Sequence, residues 1–210
     1  KALDVKVAQL SLPAGWTCPG AKDCLARADR ETGKLTHGAD MRFACFAASM
    51  EALYPAVRAL RWANLEALPL ARKSERMSAA LLDALPACDV VRIHVSGDFF
   101  SAAYLAAWIA VARARPGVRF YAYTKSIHLL PPKSELPANL SIVVSAGSRH
   151  DDARARALGY SIAHVVFSRA EAQAMGLEID HDDSHAVIGD RDFALLLHGV
   201  QPKGTEAAAA

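Results

Sequence analysis

The sequence predicts an α/β fold: a (β/α) barrel, TIM-barrel-like or partial, of about six parallel strands in one domain spanning residues 1–210. Three observations carry this. Short apolar runs alternate with segments of helical periodicity, the signature of repeated β-α units. Polar residues recur at every second position within the runs, where a strand buried on both faces would be apolar throughout. Polar and charged residues also gather just after the runs, at the carboxyl edge where such folds place their sites.

The runs are Val5–Leu12, Val90–Val95, Val118–Tyr123, Leu140–Ser145, Ile162–Phe167 and the weaker Ala186–Ile188. After the first run comes a cysteine loop, 13–45. Phe46–Leu68 reads as a long helical stretch broken by Pro55, whose ring removes a backbone donor. Ser74–Leu85 is the next helix. Ala102–Arg115 sets Leu105, Ile109 and Ala112 at helical spacing and stops at Pro116-Gly117. Ser168 with Glu171 opens a helix that runs to Met175, and Gly176 ends it. Residues 180–210 form a C-terminal segment in which His198 and Gln201-Pro-Lys-Gly204 are candidates to cover one end of the barrel.

Alternation assigns the faces. Arg92, His94 and Ser96 fall on one side of their strand and Val91, Ile93 and Val95 on the other; Tyr121, Tyr123 and Lys125 share a face of the next. A polar inner face implies a lumen that binds something. The strand ends add Ser96-Gly-Asp98, Thr124-Lys-Ser126, Ser145-Ala-Gly-Ser-Arg-His150 and Ser168-Arg169.

A chain of 210 residues with 52% apolar composition can bury one sizeable core. It has no stretch of 18 uncharged apolar residues, so no membrane-spanning helix is expected, and its opening lacks the pattern of an export signal. A cytoplasmic protein is expected, and a start on Lys1 rather than Met suggests a short preceding piece. Net charge is +2 but uneven: residues 161–210 hold 3 Lys/Arg against 8 Asp/Glu, so the rest is mildly basic. That permits an anionic partner such as nucleic acid, although ordinary solvated surface is the better account of the charge alone. Oligomeric state is not legible.

Four cysteines in a cytoplasmic chain argue against a disulfide framework. Cys88, before an apolar run, reads as a small buried residue. Cys18, Cys24 and Cys45 have the spacing C-x5-C-x20-C. Thiolates are soft ligands for iron–sulfur clusters and zinc. Pro19-Gly20 supplies a turn around a metal centre, and Cys45 at a helix start would have its thiolate stabilised. Three cysteines can hold a [4Fe-4S] cluster and leave one iron for water, His37, His94, His128 or a small molecule. Zinc in a Cys3His site with His37 ranks second, because the usual close cysteine pair is absent.

Cys18-Pro-Gly-Ala-Lys-Asp-Cys24, Arg42-Phe-Ala-Cys45-Phe-Ala-Ala-Ser49, Arg92-Ile-His-Val-Ser-Gly-Asp-Phe-Phe-Ser101 and Phe120-Tyr-Ala-Tyr-Thr-Lys-Ser126 together resemble the phage gene product 88 family. Asp180-His-Asp-Asp-Ser-His185 and Phe193-Ala-Leu-Leu-Leu-His-Gly199 fit the same pattern. The resemblance covers nearly the whole chain and implies a phage or prophage origin. A looser likeness, to radical S-adenosylmethionine enzymes, rests on three cysteines after the first strand and Ser96-Gly-Asp98 after the second. Those enzymes usually pack their cysteines as C-x3-C-x2-C, far closer than here.

The first functional expectation is a cluster-bearing enzyme acting on nucleic acid by metal-assisted phosphodiester hydrolysis. Its candidate catalytic residues are Asp98, His94, Lys125, Arg149 and His150. Asp98, Asp151, Asp182 and His185 would hold a divalent Mn or Mg ion, and Lys125 and Arg149 would bind phosphate. The alternatives are a radical S-adenosylmethionine-like enzyme and a non-catalytic cluster- or zinc-binding protein.

Overall fold

The computed structural model describes residues 5–69, 74–199 and 201–209; Lys1 lies outside them. The elements are β1 (Val7–Leu10), β2 (Ala26–Ala28), β3 (Leu35–His37), α1 (Phe46–Leu53), α2 (Pro55–Ala67), α3 (Ser74–Ala84), β4 (Val90–Ile93), α4 (Ala102–Ala114), β5 (Arg119–Thr124), β6 (Leu140–Ser145), α5 (Asp152–Ala157), β7 (Ile162–Val166), α6 (Arg169–Ala174), α7 (Ser184–Ile188), β8 (Phe193–Leu196) and α8 (Glu206–Ala209).

Six strands make one parallel sheet in the order β1-β4-β5-β6-β7-β8. Among the described residues β1 and β8 each pair on one side only, so the sheet is open and a closed barrel is not formed. Its strands follow chain order without a reversal. Crossovers of one hand then place their helices on the same side of the sheet.

That side carries the main core. Val91 and Ile93 of β4, Phe120 and Ala122 of β5, and Ile142 and Val144 of β6 pack against Met77 and Leu81 of α3 and Tyr104, Trp108 and Val111 of α4. The α4 helix is capped by Ser101, whose Oγ accepts from the Tyr104 amide at 3.2 Å. The opposite face holds a smaller cluster of Tyr121, Val143, Ala163, Ala186 and Phe193. There α7 lies against β5 and β6, with Ser141 Oγ donating to the Ala186 carbonyl at 2.6 Å.

Pro55 breaks Phe46–Leu68 as expected, into two helices, because it occupies the first turn of α2 after an extended Tyr54. Two expectations need correction. Ala186–Ile188 belongs to α7 rather than a strand, and the sixth strand is β8. The strand ending at Val95 stops instead at Ile93: His94 has a φ of 69°, which turns the chain and breaks the alternation. Cys88 is half-buried against the main core.

Candidate functional site

Residues 11–25, between β1 and the antiparallel β2–β3 pair, lie across the carboxyl ends of β4, β5 and β6. Leu12 exchanges two hydrogen bonds with Ser96: its amide donates to the Ser96 carbonyl, and Ser96 Oγ donates to the Leu12 carbonyl, both at 2.8 Å. The Asp23 amide donates to Gly147, and the Arg149 amide donates to Gly20 at 2.9 Å. Ser148 Oγ donates to the carbonyls of Gly20 and Lys125. Two glycines permit the close approach. A Cβ on Gly20 would sit 1.9 Å from the Lys125 carbonyl oxygen; one on Gly97, at a φ of 87°, would sit 2.6 Å from Thr17 Oγ1.

This packing brings Cys18, Cys24 and Cys45 around one cavity of about 160 Å³, whose wall also includes Gly97, Asp98, Lys125 and Ser145. Cys45 is the residue before α1, in an extended conformation, and its side chain makes no capping hydrogen bond to the helix. The Gly15 amide donates to Cys18 Sγ at 3.3 Å. Burial pushes the Cys18 thiol well above its ordinary range, with Asp98 and Cys45 adding to the effect. Burial raises Cys24 too, partly opposed by the Lys125 ammonium, and takes Cys45 to about 11. Asp98 is pushed up to about 6 by burial, against hydrogen bonds from Thr124 Oγ1 and the Lys125 and Phe99 amides. Three thiols and a carboxyl thus share a region that disfavours their charged forms, a condition that a bound metal centre reverses by coordinating thiolates.

The small cavity adjoins a larger one of about 510 Å³ on the α7 side of the sheet, and Cys24, Cys45, Gly97, Tyr123, Lys125 and Ser145 line both. Asp183 organises the polar wall. Its carboxylate accepts from Tyr121 Oη at 2.8 Å and Tyr123 Oη at 2.9 Å, and pairs with Arg92 Nη1 at 2.7 Å. Burial, then Asp183, holds both phenols above their usual range.

A buried ion pair braces the cysteine segments from behind. Glu51 of α1, fully buried, takes on one oxygen the Ala14 amide at 2.8 Å, Arg61 Nη1 at 2.8 Å and Ser96 Oγ at 3.3 Å. The C-terminal segment returns to the same place. Glu206 forms a two-bonded pair with Arg42, Gln201 accepts from the Ala44 amide, and His198 packs edge-on to Phe46 at 5.1 Å.

The other expected residues are dispersed. His94 is part of the wall of the larger cavity with Arg92, but its ring turns to the helix-covered side, where Nε2 lies 3.0 Å from Tyr104 Oη of α4, and burial drops its pKa to about 3. Arg149 donates to the Ala21 carbonyl, so it fixes the cysteine loop rather than presenting a free guanidinium. His150 packs on His128 at 4.4 Å, and neither lines the two cavities. Asp151 caps α5 through the Ala153 amide, and Asp182 accepts from the Ser184 amide. His185 sits between Glu178 and Asp180. Asp98, Asp151, Asp182 and His185 therefore form no common ligand set. Among the described residues, no three His, Cys, Asp or Glu side chains converge closely enough to hold a single metal ion.

A family model described as Gene product 88 matches residues 2–210. The chain is 34% identical over 146 residues to the Gene 88 protein of Mycobacterium phage D29, an alignment covering 62% of this chain and 59% of that protein. It is 32% identical over the same length to the Gene 88 protein of Mycobacterium phage L5, with the same shares covered. The match thus spans less than two thirds of either relative. No solved structure matches the chain. No described helix is long and apolar enough to cross a membrane.

Proposed function

The chain belongs to the gene product 88 family, and from that premise we propose that it is an iron–sulfur enzyme of the radical S-adenosylmethionine kind, built on a partial (β/α) barrel. One observation carries the reading: a cavity walled by all three cysteines shares lining residues with a larger cavity on the α7 side of the sheet. An open sheet with strands in chain order and helices on one face supports the partial barrel.

Cys18, Cys24 and Cys45 would hold a [4Fe-4S] cluster, whose thiolates stand apart around a cube rather than converging on one ion. Among the histidines considered as a fourth ligand, His94 is engaged with Tyr104, and His37 and His128 line neither cavity. One coordination position is thereby left for a small molecule. When bound, the cluster supplies the single electron that cleaves a sulfonium carbon–sulfur bond. The chain's own residues do the rest. Gly97 lets backbone approach the small cavity, Asp98 and Lys125 supply its polar wall, and the Tyr121/Tyr123/Asp183/Arg92 group orients a substrate in the larger one.

The C-x5-C-x20-C spacing departs from the compact motif of that enzyme class. Here β2–β3 and residues 38–44 occupy the extra length, and Cys45 still reaches the cavity. The hydrolytic reading loses its support, because its divalent-ion ligands are apart.

The test is anaerobic purification followed by absorption and spin-resonance spectra, before and after S-adenosylmethionine is added. The expected result is a cluster whose reduced spectrum changes with the sulfonium and which Cys45→Ala abolishes. A colourless protein with stoichiometric zinc overturns the proposal. Cleavage of labelled DNA or RNA with Mn²⁺, lost in Asp98→Ala, would restore the hydrolytic reading in its place.

A further inference from the structure

We infer that Lys125 is the fixed counter-charge of the cysteine centre and raises its reduction potential. The inference deepens the proposed function and rests on it. Lys125 is 7% exposed and lines both cavities. It is the only cationic side chain, among the described residues, in the wall of the cysteine cavity; the other ionisable groups in that wall are Cys18, Cys24, Cys45, Asp98 and Tyr123.

The acceptors of the ammonium matter most. Nζ donates to Ser145 Oγ at 2.8 Å, to the Ser145 carbonyl at 3.2 Å and to the Ala146 carbonyl. All three are neutral oxygens, and among the described residues no carboxylate forms a salt bridge with Lys125. Its position is therefore fixed by three bonds while its charge is not cancelled at contact.

In a water-poor site the field of such a charge is strong. A cluster bound by three thiolates is anionic and gains a further negative charge when reduced. A fixed cation beside it stabilises the reduced state more than the oxidised one, and net local charge is one of the quantities that set cluster potentials. The chain is held there on both sides. The Lys125 amide donates to Asp98 at 2.8 Å, and its carbonyl accepts from Ser148 Oγ at 2.7 Å.

The experiment is a redox titration of the reconstituted full chain, followed by spin resonance, for wild type, Lys125→Met, Lys125→Arg and the exposed control Lys34→Met. At the wild-type midpoint, Lys125→Met is expected to lower the reduced-to-oxidised ratio at least tenfold, equivalent to about 59 mV for one electron. Lys125→Arg recovers most of the loss, and Lys34→Met matches wild type. Should Lys125→Met not assemble, the wild-type midpoint is measured from low to high salt. A buried fixed charge leaves it unchanged, whereas a steep dependence assigns the potential to exposed charges and overturns the inference. An unchanged midpoint in an assembled Lys125→Met also overturns it. A wild-type chain that takes up no cluster defeats the proposed function and this inference together, which separates the two failures.

Discussion

The two faces of the sheet are built from alternate residues of the same strands, yet they answer to different physics. On the helix-covered face, Phe120, Ile142, Val144 and Trp108 are buried with few polar atoms among them. On the other, Arg92, Tyr121 and Tyr123 are tied by Asp183, which is 60 residues from the nearest of them in sequence. The first is a packing solution, tolerant of chemistry and intolerant of volume. The second is a charge and hydrogen-bond solution, tolerant of small changes in shape and intolerant of losing a partner. Stability is invested mainly in the first and recognition in the second.

The sharpest way to break that division is Trp108→Ala. Trp108 is 2% exposed between α4 and the sheet, and its truncation should cost about 3–5 kcal/mol in denaturant unfolding. Any cluster spectrum should stay normal in the fraction that folds; a changed spectrum would show that the two faces are not separable.

Acid titration comes next. His94 has a folded pKa of about 3, depressed by burial, against 6.5 when exposed. Its contribution is complete above pH 6.5 and lost as pH falls toward 3, because the unfolded chain takes up the proton first. Unfolding free energy should therefore fall by up to about 1.4 kcal/mol per pH unit in that window. His94→Asn should flatten that slope; an unaltered slope would place the acid sensitivity elsewhere.

The smallest expected effect on stability is at Asp183. Asp183→Asn keeps one acceptor oxygen for the tyrosines, puts an amide donor in place of the other and loses the charge facing Arg92, and should cost about 1–2 kcal/mol. Binding in the large cavity should suffer far more than stability does. A variant that binds as wild type would remove Asp183 from the recognition wall.

Much of the architecture was legible because it is local. Five of the six sheet strands carry their own apolar runs, Ser168 marks a helix start by its own chemistry, and Pro55 marks a helix break. The weak sixth run failed because Ala186–Ile188 is apolar over three residues only, too short to separate a helix turn from a strand. The β2–β3 pair was missed because Ala26–Ala28 alternates over three residues only, too short to read as a strand. Within the site, the three cysteines and the Tyr121/Tyr123 face were visible from spacing and alternation. Asp183 and the Glu51–Arg61 pair were not assigned roles, since their partners are chosen by tertiary packing. A glutamate in the mainly apolar stretch Phe46–Leu53 was the one available hint for Glu51. His94 was misplaced because alternation was extended one residue past the point where the backbone turns.

The return of His198, Gln201, Glu206 and Ala207 onto Phe46, Ala44 and Arg42 has a consequence for the order in which the protein is made. Cys18, Cys24 and Cys45 leave the ribosome well before their surroundings do. Asp183 completes the large cavity, and Gln201 and Glu206 fasten the segment that leads into Cys45. A nascent chain therefore carries exposed thiols until Asp183, Gln201 and Glu206 have followed them.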